Sequence, residues 1–139
     1  MDLRADVDRR RRLLAARRAL SSFHTWAAHG LATPAVDVEE TLGLMRALGP
    51  SAPTIPAPAL TSMIGYTFAA SGAIQTVAAL LALRDGCLPP TINLSERDPA
   101  CHLDYVAGTA ARSAPLDTVA VSTANLAGAH AALLVGRLQ

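Results

Sequence analysis

The spacing of apolar residues near the start of the chain predicts a helix followed by a strand. Leucine and valine side chains in residues 2–20 recur at near-heptad intervals, which is typical of an amphipathic helix. Residues 23–28, FHTWAA, are predicted to form a short strand that stops at His29 and Gly30.

A second helix is predicted over residues 37–48, where apolar positions follow the helical period and Gly49 ends the pattern. Asp37 and Glu40 stand three residues apart at its start. That is the spacing of a capping box, in which two side chains satisfy free N–H groups at the helix N-terminus. We therefore expect both carboxylates to cap this helix.

The middle of the chain combines a proline-rich segment with a long apolar helix. Residues 53–60 contain three prolines, which lack the N–H that a central strand donates, so an edge or irregular strand is predicted there. Residues 69–83 carry no charge and are apolar on nearly all sides, which predicts a central, buried helix. Gly86 supplies the stop signal of that helix.

Strands dominate the C-terminal part of the chain. Residues 102–106 are predicted to form a short strand, and residues 118–124 and 129–135 should close the sheet as an antiparallel pair. The order of elements is then α-β-α-β-α-β-β. It predicts one α/β domain over residues 1–139, with mixed strands in a layered sheet around the central helix.

The composition indicates a subunit of a larger assembly. Of the 139 residues, 51% are hydrophobic and 17% are charged, so little polar surface is left to cover a free monomer. A surplus of apolar residues is typical of a chain that buries one face against a partner. The net charge of +1 disfavours a dedicated nucleic-acid binder.

Metal, cofactor and membrane functions find little support in the sequence. The two cysteines, Cys87 and Cys101, lack the spacing of metal ligands, so no zinc site is predicted. The N-terminus is charged and has no apolar signal core, and prolines and glycines interrupt the uncharged stretch at residues 47–83. We expect a cytoplasmic protein without a cofactor.

Three segments resemble the C-terminal half of β-ketoacyl synthases, the condensing enzymes of fatty-acid and polyketide assembly. The segment LLALRDGCLPPTINL at residues 80–94 is the most specific match. The loop AAHGLATPAVDVEE at residues 27–40 resembles the family's His-Gly-Thr-Gly-Thr loop, and TSMIGYTFAASGA at residues 61–73 resembles its Lys-Ser-Met-Thr-Gly-His segment. The resemblance implies half of a thiolase-like fold.

The resemblance also implies positions for catalytic residues of the family. His29 stands at the place of the first histidine, Tyr66 at that of the second, and Thr61 at that of the lysine. We expect His29 and Tyr66 to lie at the ends of neighbouring strands and to face one cleft. The family's nucleophilic cysteine belongs to the N-terminal half of the fold, so neither Cys87 nor Cys101 is expected to serve. Structural roles stay open, His29 as a turn residue and Tyr66 as a packing residue.

A non-catalytic partner subunit is the first functional hypothesis. Type II polyketide systems pair a ketosynthase with a homologue that has lost the nucleophile, the chain-length factor, and this sequence resembles such a subunit. The implied partners are a ketosynthase-type protein or a second copy of the chain, together with a phosphopantetheinyl acyl carrier protein. Two alternatives stay open: a split synthase whose cysteine comes from another polypeptide, and an enzyme with changed chemistry at His29 and Tyr66.

Overall fold

The computed structural model describes residues 23–125 and 128–137, and the helix predicted over residues 2–20 lies outside them. In the described part, one strand is followed by three helices and then by four strands, and two 3-10 turns, at Gly49–Thr54 and Phe68–Ala70, lie between the helices. In chain order the elements are β1 (Thr25–Ala27), α1 (Pro34–Leu48), α2 (Thr61–Ile64), α3 (Ser71–Asp85), β2 (Cys87–Leu88), β3 (Arg112–Ser113), β4 (Thr118–Ala124) and β5 (His130–Gly136).

The main sheet contains β1, β4 and β5, in that spatial order. β1 runs parallel to β4. β4 and β5 pair antiparallel, from Thr118 opposite Gly136 to Ala124 opposite His130, which confirms the predicted closing pair. β2 and β3 form a separate two-stranded ribbon.

A proline-rich segment covers the outer edge of β1. The N–H groups of Trp26 and Ala28 donate to the carbonyls of Pro56 and Pro58, at 2.8 and 3.0 Å. Because proline has no N–H, the segment accepts from β1 without returning a full ladder of hydrogen bonds. This is the irregular strand that the sequence predicts.

The prediction of a strand over residues 102–106 is wrong. Within that stretch only Asp104 pairs, in an isolated bridge with Pro56. Val106 has a φ of +54°, a left-handed conformation that interrupts any extended run. The side-chain pattern alone carries no sign of this backbone reversal.

Side chains alternate along β4 between the two faces of the sheet. Val119 and Val121 face α3 and join its Leu83 in one apolar core. On the opposite face, Trp26 packs against a second core that contains Leu44 of α1. With helices on both faces of a mixed sheet, the described part is a layered α/β fold, as predicted.

Helix α3 is buried on one side only. Its sheet-facing residues Ala79 and Leu83 are buried, whereas Val77, Leu80 and Leu81 are 56%, 51% and 44% exposed. The predicted burial is therefore confirmed for the sheet-facing side only, and no described element packs against the outer side. The helix begins at Ser71, two residues later than predicted, because a 3-10 turn precedes it.

Candidate functional site

His29 follows the end of β1 in a loop that bends sharply. Gly30 adopts a left-handed φ of +52°, and a Cβ at this position would stand 2.5 Å from the Cβ of Ala59. Both the φ and the close approach therefore require glycine. The loop encloses the His29 side chain, and the residue is only 4% exposed.

One carboxylate anchors this loop to the rest of the fold. Glu40 accepts the backbone N–H groups of His29 and Gly30, at 2.9 and 3.2 Å. It also accepts the hydroxyl of Ser122 at 3.0 Å and, more weakly, the indole N–H of Trp26 at 3.4 Å. Hydrogen bonds to an ionised group are stronger than neutral ones, so Glu40 ties α1, β1 and β4 together at this point.

The predicted capping box is wrong. Helix α1 begins at Pro34, three residues before the predicted start, and its N-cap is Thr33. Proline suits the first turn because the N–H that it lacks would have no helical partner. Asp37 accepts the backbone N–H of Leu31 at 3.0 Å, so this carboxylate, like that of Glu40, holds the preceding loop instead of the helix end.

Asp37 and Glu40 form an acidic pair behind the loop. Burial raises the pKa of the Asp37 carboxyl above its usual value, and the nearby Glu40 charge raises it further. The hydrogen bond from Leu31 and the proximity of His29 oppose this rise in pKa. The pair gives the enclosed side of His29 a negative environment.

Thr61 supports the same loop from another element. It is the first residue of α2, and its hydroxyl donates to the carbonyl of His29 at 2.7 Å. The next residue, Ser62, accepts the backbone N–H of Ile92 at 3.0 Å. Helix α2 therefore joins the His29 loop to the PPTINL segment, two of the stretches that the sequence singles out.

Tyr66 meets His29 ring to ring. The centroids of the two rings are 5.4 Å apart and their planes stand at 89°, an edge-to-face contact. Tyr66 follows α2 and Gly65, whose φ is +77°, so it does not lie at a strand end as predicted. Phe68 packs on Tyr66 with a centroid distance of 4.8 Å and is 71% exposed.

One atom of the His29 imidazole is left without a partner. Its Nδ1 is buried and forms no hydrogen bond with any described residue. A buried polar atom in this state costs about 1–3 kcal/mol of stability. Such atoms are few in native structures and call for a functional or structural reason.

Two adjoining clefts open beside these rings. One, of about 480 Å³, lies between α1 and the β4–β5 pair and is bordered by His29 and Glu40. The other, of about 620 Å³, is bordered by Tyr66 and Phe68. The two clefts share the lining residues Thr123, Ala124, His130 and Ala131.

Sequence reasoning missed the site roles of Glu40 and His130. Glu40 stands eleven residues after His29, and only the left-handed turn at Gly30 returns the chain to it. His130 reaches both clefts because it opens β5 opposite Ala124. The predicted antiparallel pairing of residues 118–124 and 129–135 already places His130 opposite the end of the first strand, so its position could have been inferred from the sequence.

The two thiols of the chain lie in other surroundings. Cys87 belongs to β2, in the ribbon with β3. Cys101 stands beside Tyr105, whose hydroxyl hydrogen-bonds that of Thr41.

Within residues 23–125 and 128–137, no three His, Cys, Asp or Glu side chains gather as a metal site requires. No described helix is both long enough and apolar enough to cross a bilayer.

Comparison with known proteins identifies the family. The family model for the β-ketoacyl synthase C-terminal domain, which describes the sequences of that family, matches residues 9–95. The chain belongs to the β-ketoacyl synthase family. Its described fold is accordingly thiolase-like, and the matched range contains all three residues that the resemblance singles out, His29, Thr61 and Tyr66.

The chain is similar to proteins named as ketoacyl synthases or ketosynthases. It is 38% identical over 122 residues to the tetracenomycin polyketide synthase ketoacyl synthase alpha subunit of Streptomyces glaucescens. The match covers 88% of this chain and 28% of that protein. It is similar to the solved ishigamide ketosynthase/chain length factor, with a TM-score of 0.79, 34% identity and coverage of 84% and 28%.

A second solved structure holds a type II PKS acyl-carrier protein in complex with its ketosynthase. The TM-score to this chain is 0.80 at 33% identity, and the match covers 84% of this chain and 28% of the other. The chain spans about a quarter of the length of the curated relatives that it matches.

Proposed function

We propose that the chain is a non-catalytic, ketosynthase-like partner subunit of type II polyketide or fatty-acid-type biosynthesis, comparable to a chain-length factor, and that it pairs with a ketosynthase in the cytoplasm. The observation that carries this proposal is the edge-to-face contact between Tyr66 and His29. By resemblance, Tyr66 takes the place of the second family histidine and Thr61 that of the lysine.

The chemistry of these replacements argues against condensation at this site. By resemblance, the family's reaction uses two imidazoles to stabilise the enolate that forms on decarboxylation. A neutral phenol donates a weaker hydrogen bond than a protonated imidazole. The hydroxyl of Thr61 already donates to the His29 carbonyl and supplies no cation. Cys87 lies in the β2–β3 ribbon and Cys101 contacts Tyr105, so the contacts described for the two thiols do not include His29 as a base.

The outer side of α3 supports a protein partner. Val77, Leu80 and Leu81 form an exposed apolar stripe there, and fully burying such a side chain contributes about 1.5–3 kcal/mol. A ketosynthase as that partner is supported by the similarity to a ketosynthase/chain length factor. The similar ketosynthase bound to its acyl-carrier protein supports a carrier protein as a further contact.

Acylation tests the non-catalytic part of the proposal. The purified protein is incubated with an acyl-carrier thioester, and its intact mass is measured. We expect no adduct, with the Cys87→Ser/Cys101→Ser double variant as the control for surface thiol chemistry. A stoichiometric acyl adduct that the double variant loses would overturn the proposal.

A split synthase is the second candidate, because His29 is retained and held in place by Glu40. In this case another polypeptide supplies the nucleophilic cysteine, and His29 completes the site. Mixing the chain with that polypeptide should then yield condensation, and Tyr66→His should raise the rate by restoring the second imidazole. Absence of condensation in the mixture, with both proteins folded, would exclude the split synthase.

A further inference from the structure

The two edges of the main sheet differ in whether another segment covers them. At the β1 edge, Pro56 and Pro58 accept hydrogen bonds from the strand and offer no N–H groups of their own. At the other edge, β5 pairs with β4 and with no other described strand. An uncovered edge presents a row of free N–H and C=O groups to any extended segment that approaches.

β5 carries none of the features that usually protect an edge. Its sequence, HAALLVG, contains neither proline nor a residue that is charged at every pH near neutrality. Residues 130–133 are exposed, and Leu133 is 49% exposed. Arg137, which directly follows the strand, donates to the carbonyl of Leu83 in α3, so its charge is directed toward the helix.

We infer that β5 pairs antiparallel with β5 of a second copy of this chain, across a two-fold axis beside Leu133. The strand is suited to itself in this register. Leu133 lies opposite its own mate, Ala132 opposite Leu134, and Ala131 opposite Val135, so each alanine faces a larger apolar residue. Cross-strand pairs of this kind stabilise a sheet, and no like charges meet.

The same register keeps the faces of the sheet consistent. Residues 131, 133 and 135 lie on the α3 face, because their β4 partners Thr123, Val121 and Val119 share it. Pairing 131 with 135 and 133 with 133 therefore leaves both α3 helices on one side of a continuous six-stranded sheet. A shift by one residue would place Leu133 opposite a residue of the other face and break this match.

The inference is independent of the proposed function. Self-pairing uses the edge of β5, whereas a ketosynthase partner would cover the outer stripe of Val77, Leu80 and Leu81 on α3. Failure of one contact leaves the other intact. A single strand pair is small beside the roughly 1,600 Å² of a standard interface, so the dimer should dissociate on dilution.

Engineered cysteines test the register directly. In the full-length Cys87→Ser/Cys101→Ser background, Leu133→Cys should form an intermolecular disulfide under mild oxidation. Directly opposite residues of an antiparallel pair have Cα atoms about 4.5–5.5 Å apart, within the range that a disulfide spans. Ala131→Cys is the matched control, because its expected neighbour is Val135 and not its own mate.

The result expected is a covalent dimer from Leu133→Cys, none from Ala131→Cys, and a dimer again from the Ala131→Cys/Val135→Cys double variant. Efficient cross-linking by Ala131→Cys alone would overturn the register. Absence of any cross-link in the three variants would overturn self-pairing.

Charged substitutions at Leu133 test the same β5–β5 contact without thiols. Leu133→Glu and Leu133→Lys each place like charges opposite one another and should abolish the dimer in sedimentation velocity. Mixing the two variants should restore the dimer as a heterodimer, while Leu42→Glu, a change at a similarly exposed leucine on α1, should leave dimerisation unchanged. A wild-type protein that stays monomeric at all concentrations, or pairs through β5 only with a ketosynthase, would refute the inference.

Discussion

The backbone N–H of His29 donates to the carboxylate of Glu40 across 2.9 Å, although eleven positions of the chain separate the two residues. The same carboxylate accepts from Gly30 and from the hydroxyl of Ser122. The position of the His29 loop therefore depends on one carboxylate near the middle of α1.

Glu40→Gln should destabilise the protein by about 1–3 kcal/mol. The amide has a single acceptor oxygen, so its NH₂ group must face at least one of the donors that the carboxylate now satisfies. Urea denaturation measures the change in the free energy of unfolding. Glu39→Gln, at the exposed neighbouring position, is the matched control and should change it by no more than about 0.5 kcal/mol. Equal losses in the two variants would contradict the anchoring role.

Gly30→Ala should destabilise the folded protein by about 2–5 kcal/mol. The alanine would have to adopt a left-handed φ, and its Cβ would collide with the Cβ of Ala59. The opposite sign is expected at Gly43 in α1, where an added Cβ meets no atom within 4 Å. There, Gly43→Ala should stabilise by about 1 kcal/mol through helix propensity. Thermal melts of the two variants test the pair, and a harmless Gly30→Ala would show that the loop tolerates a different path.

Alkaline stability should depend on Tyr105. Burial raises the pKa of its phenol to about 12, with Cys101 and Glu40 adding to this and the Thr41 hydrogen bond opposing it. In the unfolded chain a tyrosine titrates near ~10, so above that pH the folded protein keeps a proton that the unfolded chain loses. The contribution is fully present below pH ~10 and is lost as pH rises through the folded pKa.

Tyr105→Phe should remove this alkaline loss, at a cost of about 0.5–1.5 kcal/mol at neutral pH for the hydrogen bond to Thr41. The chain contains no lysine, which keeps the alkaline window free of ammonium titration. Urea denaturation of both proteins as a function of pH gives the difference. Curves that stay parallel from neutral to strongly alkaline pH would show that Tyr105 keeps the same pKa on unfolding.

Substitutions on the outer side of α3 should separate assembly from folding. Leu80→Glu/Leu81→Glu changes two exposed residues, so the melting temperature should move little while co-purification with a ketosynthase is lost. Ala79→Glu, on the buried side of the same helix, should unfold the protein instead. A heteromer that survives the double substitution would place the partner elsewhere.

The sequence by itself determined the elements whose signal is local. The helical period of α1, the apolar run of α3 and the closing pair of β4 and β5 are visible in short windows, because each element satisfies its backbone hydrogen bonds with near neighbours. The family was also readable, since three motifs follow one another at fixed spacing. The same motifs singled out His29, Thr61 and Tyr66 as candidate site residues.

Tertiary structure alone decided how those residues meet. Glu40 was expected to cap a helix, but a left-handed turn at Gly30 and a helix start at Pro34 direct its carboxylate to the His29 loop. The outer side of α3 stays exposed because burial depends on what packs against a helix, and an apolar sequence records only the need for cover. Hydrogen bonds and ring contacts between distant residues carry no periodicity, so only the folded chain reveals them.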